Sequence, residues 1–262
     1  MGFVKTEKEL EAYYALGVRQ FKGALMMGVM FQTRPEIVER LLPPPLQPAP
    51  MPSGLIFIAQ YPKTNLGPGY REAALYLGCQ YRGEEGTYCL SMPIDSEPGR
   101  MHNGRDIFGL PKKTASIHFE RDGNRARGWV ERMGTRFVEI TVDLSGSLPQ
   151  VPPTGPSFTF KAMPRIDLTP GFDGPVFLCR QQTVVEMKRF EIGTPQVVLT
   201  PSQADPWAEV EIVQTLVGFY MISDNTMKPG EVLAEVSSEA FLPHYFKMTD
   251  FSVGNTEGEK ND

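Results

Sequence analysis

Short segments that are apolar throughout, or that alternate between polar and apolar residues, recur along this chain of 262 residues. Turn-forming residues separate them, since the chain contains 25 glycines and 24 prolines. This combination is typical of short strands joined by turns, and it predicts a β-rich α+β fold. Residues 209–222 fit either a helix or a strand. The segments predicted as strands are 24–31, 55–61, 73–81, 87–92, 117–120, 126–132, 136–144, 158–166, 176–188 and 196–199.

Two capping-box patterns, each a threonine followed three residues later by a glutamate, predict helices in this β-rich chain. Thr6 and Glu9 begin a predicted helix over residues 6–16. Thr33 and Glu36 begin a second predicted helix, which three consecutive prolines end. The segments predicted as loops are 62–69 and 92–109.

Charge and motif content argue against several classes of protein. The net charge is −5 and no basic run exceeds three residues, which argues against nucleic-acid binding. No apolar run approaches the length of about 18 residues that a transmembrane helix needs. Cys79, Cys89 and Cys179 form no CxxC pair, and without a secretory signal they suggest reduced thiols in a cytoplasm. The three histidines have no metal-ligand spacing, and no phosphate-binding glycine loop is present.

The sequence Pro111-Lys112-Lys113 places two lysines side by side at the start of an alternating segment. In a closed, partly dry site each ammonium disfavours the other and burial disfavours both, so one amine can be neutral near pH 7. A neutral lysine amine attacks ketones and forms a Schiff base. The alternative is a lysine pair at a solvated strand end. If the strand begins by Lys113, alternation places Lys113 and Ala115 on one face and Lys112 on the other.

The residues around these lysines resemble the signature of the acetoacetate decarboxylase family, Gly-Arg-Glu and an apolar residue followed by Pro-Lys-Lys. The matching residues are Gly104-Arg105-Asp106-Ile107 and Pro111-Lys112-Lys113. Three further segments resemble the family in the same order, and the similarity runs over most of residues 20–235. They are 35–46, a helix with a proline-rich end, 69–72, a Tyr-x-Glu pattern, and 172–175, an Asp-Gly turn.

The resemblance implies roles for three residues. Lys112 matches the Schiff-base lysine, Lys113 matches the neighbouring cation associated with keeping that amine neutral, and Glu72 matches an active-site carboxylate. It also implies an antiparallel, closed or barrel-like sheet with a few flanking helices, a homo-oligomer, and no metal or organic cofactor. From the residues alone, Glu72 next to Arg71 is more simply a surface ion pair.

Two departures from the family pattern bear on the substrate. The family's active-site arginine falls at Ala24, and a second family glutamate falls at Phe57. An arginine is the natural partner of a substrate carboxylate, so its replacement argues against acetoacetate itself. The two apolar replacements predict a substrate more apolar than acetoacetate. Arg19, Arg34 or Arg71 could take the place of the missing arginine in space.

The predicted loop before the lysines carries further candidate residues. Met92 and Arg105 are predicted to contact the substrate. Arg105 could instead form an ion pair with Asp106 or Glu97, and the residue types favour that pair. His102 could act as an acid or base, but a loop histidine is more often exposed.

Together these features predict a lyase that cleaves a carbon–carbon bond of a small keto acid through a lysine imine. The first hypothesis is decarboxylation of a β-keto acid. The second is an aldol, retro-aldol or dehydration reaction of an α-keto acid on the same lysine. The third is a barrel that binds an apolar metabolite without catalysis. We expect one domain over residues 1–253, followed by a polar and disordered tail over residues 254–262.

Overall fold

The computed structural model describes residues 2–96, 98–149 and 155–248 of the chain. Within these residues, strands from both halves of the chain join one large sheet. The strands are β1 (Arg19–Gln32), β2 (Gln47–Pro48), β3 (Ser53–Thr64), β4 (Gly67–Tyr81), β5 (Glu84–Ile94), β6 (Lys112–Thr114), β7 (Ser116–Asp122), β8 (Arg125–Arg132), β9 (Thr135–Ser147), β10 (Ser157–Lys161), β11 (Val176–Gln181), β12 (Thr183–Leu199), β13 (Gln214–Met227) and β14 (Glu231–Val236). The α-helices are α1 (Glu7–Ala15), α2 (Pro35–Leu41), α3 (Pro98–His102) and α4 (Ser238–Tyr245).

The sheet is mostly antiparallel, in the order β14-β11-β10-β5-β4-β3-β1-β13-β12-β9-β8-β7. β2 pairs with β4, while β6 and β10 both run parallel to β5. Among the described residues the hydrogen-bonded order ends at β14 and at β7, so this part of the chain forms a barrel-like sheet rather than a closed barrel. The sheet curls back on itself and brings β8 against β3. The two strands are so close at Gly128 that a Cβ there would lie only 2.9 Å from Ile58 Cδ1. The prediction of a β-rich fold with few helices is confirmed.

Strand alternation divides the apolar residues between two clusters on opposite faces of the same strands. In β4, Ala73, Leu75 and Leu77 face the main core, whereas Ala74 faces the second cluster. The main core is completed by residues of β1, β3, β8, β9, β10 and β11. The second cluster, called here the site-face cluster, consists of Phe21, Ala24, Phe57, Ala59, Tyr61, Ala74, Cys89, Met92 and Leu110.

The two predicted capping boxes have different outcomes. Thr6 and Glu9 form the complete reciprocal box at the start of α1. The second box is wrong, because Arg34 is the N-cap residue of α2 and makes no side-chain capping bond. Thr33 lies one residue too early and its amide instead donates to the carbonyl of Pro52. Pro35 occupies the first turn, as predicted.

The loop prediction for residues 62–69 is wrong, because β3 and β4 continue to a tight turn. Lys63 still pairs with Pro68 across the two strands. The Asn65 side chain holds the turn by accepting from Gln20 N at 2.9 Å and donating to Val18 O at 2.9 Å. These contacts come from a distant strand, so the local excess of proline and glycine did not reveal the pairing.

The loop predicted over residues 92–109 contains α3 and a π-helix at Asn103–Ile107. The ambiguous segment 209–222 begins at the end of a 3₁₀-helix, Trp207–Glu209, and from Gln214 onward it is part of β13. The predicted tail over residues 254–262 lies outside the described residues. No helix in the described part of the chain is both long and apolar enough to cross a membrane.

Candidate active site

Lys112 is held on β6 by parallel pairing with β5, where it lies opposite Met92. Its side chain is only 4% exposed. Nζ donates to Glu72 Oε2 at 2.6 Å, although the two residues are 40 positions apart. A lysine ammonium is normally solvated, so this burial marks Lys112 as unusual.

Glu72 reaches Lys112 because the alternation of β4 places it on the same face as Ala74 of the site-face cluster. Its neighbour Arg71 pairs with Asp95 instead, so the surface ion pair is not formed. Tyr61 donates its hydroxyl to Glu72 Oε1 at 3.0 Å. One oxygen of the Glu72 carboxylate therefore accepts a hydrogen bond from the Lys112 amine, and the other accepts one from the Tyr61 hydroxyl.

Two tyrosines interact with the Glu72 carboxylate, of which Tyr61 is buried and Tyr70 is partly buried. Burial, reinforced by the Glu72 charge, raises the pKa of Tyr61 well above its ordinary value. The same causes raise the pKa of Tyr70, which also interacts with Glu72. Both phenols therefore remain protonated near neutral pH and act as hydrogen-bond donors.

Apolar side chains form the rest of the surroundings. Ala24 is fully buried, Phe57 is 7% exposed and Met92 is 3% exposed, and all three belong to the site-face cluster. Phe57 stacks on Tyr76 with 5.9 Å between ring centroids. Burial raises the pKa of the Cys89 thiol to about 12, so this thiol is not a nucleophile near neutral pH. Three of the residues predicted to contact substrate thus lie together.

The π-helix lies directly against the Lys112 side chain. A Cβ at Gly104 would approach Lys112 Cε to 2.5 Å, so only glycine fits there without displacing the lysine. Arg105 donates from Nη2 to the carbonyl of Lys112 at 2.9 Å and so fixes the backbone of β6. Asp106 pairs with exposed His102, with 2.5 Å between Oδ2 and Nδ1. The predicted ion pair of Arg105 with Glu97 falls partly outside the described residues.

Lys113 points away from Lys112, as strand alternation predicts. Its Nζ lies 3.4 Å from Asp205 Oδ1 and also donates to the carbonyl of Ala204. Arg132 Nη1 lies 3.0 Å from the other oxygen of Asp205. The structure therefore brings Lys112 to Glu72 but places the Lys113 ammonium beside a different, fully buried carboxylate.

A third lysine of this region, Lys247, is partly buried and approaches the site from the 3₁₀-helix Phe246–Met248. Its Nζ donates to the carbonyl of Cys89 at 3.2 Å and also contacts the Tyr88 hydroxyl. Burial lowers the pKa of Lys247 to about 7. Among the described residues, no group of three or more His, Cys, Asp or Glu could hold a metal ion.

Sequence reasoning missed four residues of this arrangement. Tyr61 was detectable, since it shares the alternation of Phe57 on β3. Tyr70 precedes the family's glutamate by two residues, so the same alternation places it on the Glu72 face. Gly104 belongs to the family motif, but the motif does not indicate its contact with Lys112. No sequence pattern near Lys247 indicates that this lysine lies close to the site.

The family comparison agrees with this geometry. The family model for acetoacetate decarboxylase matches residues 4–237. The chain belongs to the acetoacetate decarboxylase family. The acetoacetate decarboxylase of Burkholderia vietnamiensis (strain G4 / LMG 22486) is 26% identical over 233 residues, which cover 84% of this chain and 90% of that protein. The acetoacetate decarboxylase of Burkholderia cenocepacia (strain HI2424) is 25% identical over 229 residues, with the same coverage.

Solved structures share the fold of this family member. Acetoacetate decarboxylase from Legionella pneumophila matches with a TM-score of 0.73 at 21% identity, covering 84% of this chain and 88% of that one. The enduracididine biosynthesis enzyme MppR complexed with pyruvate matches with a TM-score of 0.74 at 19% identity, covering 84% and 91%. The family and its relatives support an enzyme of the lyase class.

Proposed function

We propose that the protein is a lyase that forms an imine between Lys112 and the keto group of a small β-keto acid, and then removes carbon dioxide. One observation carries this proposal, namely the 2.6 Å contact between Lys112 Nζ and Glu72 Oε2 in an apolar, buried setting. A stability role alone explains it poorly, because buried ion pairs contribute little net stability.

The first step needs a neutral amine. Transfer of one proton from Lys112 Nζ to Glu72 Oε2 converts the ion pair into a neutral amine and a neutral carboxylic acid. Burial favours this exchange because both charges disappear together. The amine then adds to the ketone carbon, and Glu72 returns its proton to the departing oxygen, which leaves as water.

The resulting iminium accepts the electron pair of the neighbouring carbon–carbon bond, so carbon dioxide leaves and an enamine remains. Glu72 takes up one proton from solvent and delivers it to the enamine carbon, which restores the iminium. Water then adds to the iminium carbon and releases the product ketone and the free Lys112 amine. Tyr61 and Tyr70 hold the Glu72 carboxylate in place through these transfers. The apolar wall of Ala24, Phe57 and Met92 suits the loss of a charged carboxylate as neutral carbon dioxide.

A second candidate reaction uses the same imine. Ala24 leaves the wall without the family arginine, and a fold neighbour, MppR, is described in complex with pyruvate. An aldol, retro-aldol or dehydration reaction of an α-keto acid on Lys112 is therefore the alternative that we propose to test beside decarboxylation.

Borohydride trapping tests the proposal. The protein is incubated with acetoacetate, longer β-keto acids or pyruvate, then reduced, and the intact mass and modified peptide are measured. We expect a reduced adduct on Lys112 that Lys112→Ala abolishes, with carbon dioxide released only from the β-keto acids. The matched control is Lys113→Ala, because Lys113 faces Asp205 rather than Glu72.

Each contrary result has a defined meaning. An adduct without carbon dioxide release would favour the aldol-type reaction. An adduct on Lys113 would keep the chemistry and reverse the assignment of the pair. No adduct with any ketone would reject both enzyme proposals and leave a barrel that binds an apolar metabolite.

A further inference from the structure

The three arginines that could replace the missing family arginine have other contacts. The side chains of Arg34 and Arg71 are 51% and 41% exposed and form ion pairs at the surface. Arg19 is buried and donates to a tyrosine hydroxyl of α1 at 3.2 Å. A fourth arginine, Arg100 of α3, contacts a tyrosine of the candidate site instead.

Arg100 stacks on Tyr70, one of the two phenols that interact with Glu72. The central carbon of its guanidinium lies 5.0 Å from the centre of the Tyr70 ring. Burial and the Glu72 charge raise the pKa of Tyr70, and the Arg100 charge opposes that rise. The cation therefore lies close to a phenol that holds the proposed acid–base group, in a geometry that favours a cation–π contact.

Two further contacts fix the guanidinium in this place. Nη1 donates to Ser96 Oγ at 2.7 Å, just before α3. Nη2 packs against the start of β4, where a Cβ at Gly67 would lie 3.1 Å away. Gly67 has a φ of +116°, which residues other than glycine rarely adopt. Arg100 therefore joins α3 to the β3–β4 hairpin that carries Tyr70 and Glu72.

The helical segment that carries Arg100 also packs on Lys112. α3 continues directly into the π-helix, so residues 98–107 form one helical segment. Arg100 and Gly104 are four residues apart and lie on the same side of it. The Gly104 backbone lies against the Lys112 side chain. The same segment therefore meets the lysine at Gly104 and the β3–β4 hairpin at Arg100.

We propose that Arg100 is a positioning residue, which holds this helical segment against Tyr70 and thereby keeps Lys112 Nζ in contact with Glu72. Glu72 belongs to the β3–β4 hairpin, whereas Lys112 packs against the helical segment, and Arg100 connects the two. In this role Arg100 acts through Tyr70 and does not contact the reacting atoms. The proposal rests on the imine chemistry proposed for Lys112 and adds a residue to it.

A matched contact elsewhere in the chain provides the control. Arg82 lies 5.2 Å from the centre of the Tyr81 ring, at the exposed turn between β4 and β5. Its stacking resembles that of Arg100, but it connects no element to the candidate site. Arg82→Met therefore removes a similar cation–π contact without affecting the position of Lys112.

Timed borohydride trapping and steady-state kinetics with the best ketone test the role of Arg100. Arg100→Met should lower the trapping rate and kcat roughly 3- to 30-fold, the range expected for a cation–π contact, with KM changed less than about twofold. Arg100→Lys keeps a cation over the ring and should recover part of the loss. Arg82→Met should match the wild-type protein. In the Tyr70→Leu background, Arg100→Met should cause no further loss.

A second measurement does not depend on imine formation. Timed acetylation with acetic anhydride, localised by fragmentation mass spectrometry, reports the accessibility of each lysine amine. Arg100→Met should speed the acetylation of Lys112 several-fold, because the helical segment no longer covers it firmly. Lys113 should react as in the wild-type protein, since it faces Asp205. The variant is thus expected to react faster with a small acylating reagent and more slowly with the ketone.

The two measurements distinguish the possible failures. If no ketone labels wild-type Lys112 but Arg100→Met still speeds its acetylation, the imine proposal fails and the positioning role stands. A raised KM with unchanged kcat would show that Arg100 binds the substrate, and would overturn the positioning role. Equal slowing of trapping by Arg100→Met with and without Tyr70→Leu would also overturn it. So would trapping and acetylation rates in Arg100→Met that match those of Arg82→Met.

Discussion

At the scale of single residues, Gly104 shows how little space surrounds the Lys112 side chain. A Cβ at this position would lie 2.5 Å from Lys112 Cε and 3.0 Å from Cγ. The lysine is packed and 4% exposed, so it cannot move aside freely. A single methyl group is therefore expected to displace Nζ from Glu72.

We predict that Gly104→Ala slows imine formation by roughly 100-fold, because a misplacement of about 1 Å has that effect on positioned reactants. The rate is measured by borohydride trapping after timed incubation with the best ketone. Gly146→Ala is the matched control, since a Cβ there makes only an ordinary contact at 3.8 Å. An unchanged trapping rate in Gly104→Ala would show that the Lys112 side chain accommodates the added methyl group without moving Nζ away from Glu72.

At the scale of elements, the short strand β6 directs its two lysines to opposite sides. Lys112 faces Glu72, whereas Lys113 faces Asp205, whose side chain is fully buried. Arg132 also binds Asp205, and its Nε donates to the carbonyl of Thr114 at 3.0 Å. Asp205 therefore anchors β6 from the side opposite the candidate site.

We predict that Asp205→Asn lowers the free energy of unfolding by about 3 kcal/mol, because it removes the buried charge that two cations share. Urea unfolding measures the loss. In a double-mutant cycle with Lys113→Met, a coupling energy of at least about 1 kcal/mol is expected. Once Lys113 is replaced by methionine, Asp205→Asn no longer leaves a buried ammonium at position 113 without its counter-charge. Strictly additive losses would contradict a direct interaction between Lys113 and Asp205.

At the scale of the whole molecule, the C-terminal segment completes the edge of β5. β10 pairs with β5 at Thr87 and Tyr88, and β6 pairs with it from Met92 onward. Lys247 donates to the carbonyl of Cys89, in the gap between these two pairings. The last described helix thus closes the sheet next to the candidate site.

The position of the Lys247 amine against β5 predicts that the stability of the protein depends on pH. Burial lowers the pKa of Lys247 to about 7 from an ordinary value of 10.5. Between these values the unfolded chain binds more protons than the folded one, so the free energy of unfolding rises with pH. The contribution of Lys247 to the free energy of unfolding is expected to rise by roughly 2 kcal/mol between pH 7 and 9. Below about pH 6 that contribution is expected not to change with pH.

The measurement is the difference in free energy of unfolding between wild-type protein and Lys247→Met across this range. Staying below pH 9 limits interference from the Cys89 thiol, whose pKa burial raises to about 12. Lys8→Met, a change at an exposed lysine, should show no such slope. A pH-independent difference for Lys247→Met would mean that its ammonium is solvated.

The sequence by itself indicated most of the strands and the family, because both are encoded locally, whereas it missed the pairing of residues 62–69, which depends on contacts with Val18 and Gln20. Alternation predicted that Lys112 and Lys113 face opposite sides, and the motif around them identified the family. Only the tertiary structure decided which groups meet these lysines, since Glu72 is 40 residues from Lys112 and Asp205 is 92 residues from Lys113. Local pattern specifies the face on which a side chain lies, whereas strand order and register specify its partner across the sheet. For the same reason the sequence named Arg19, Arg34 and Arg71 as candidates, and the fold alone showed that Arg100 lies against Tyr70.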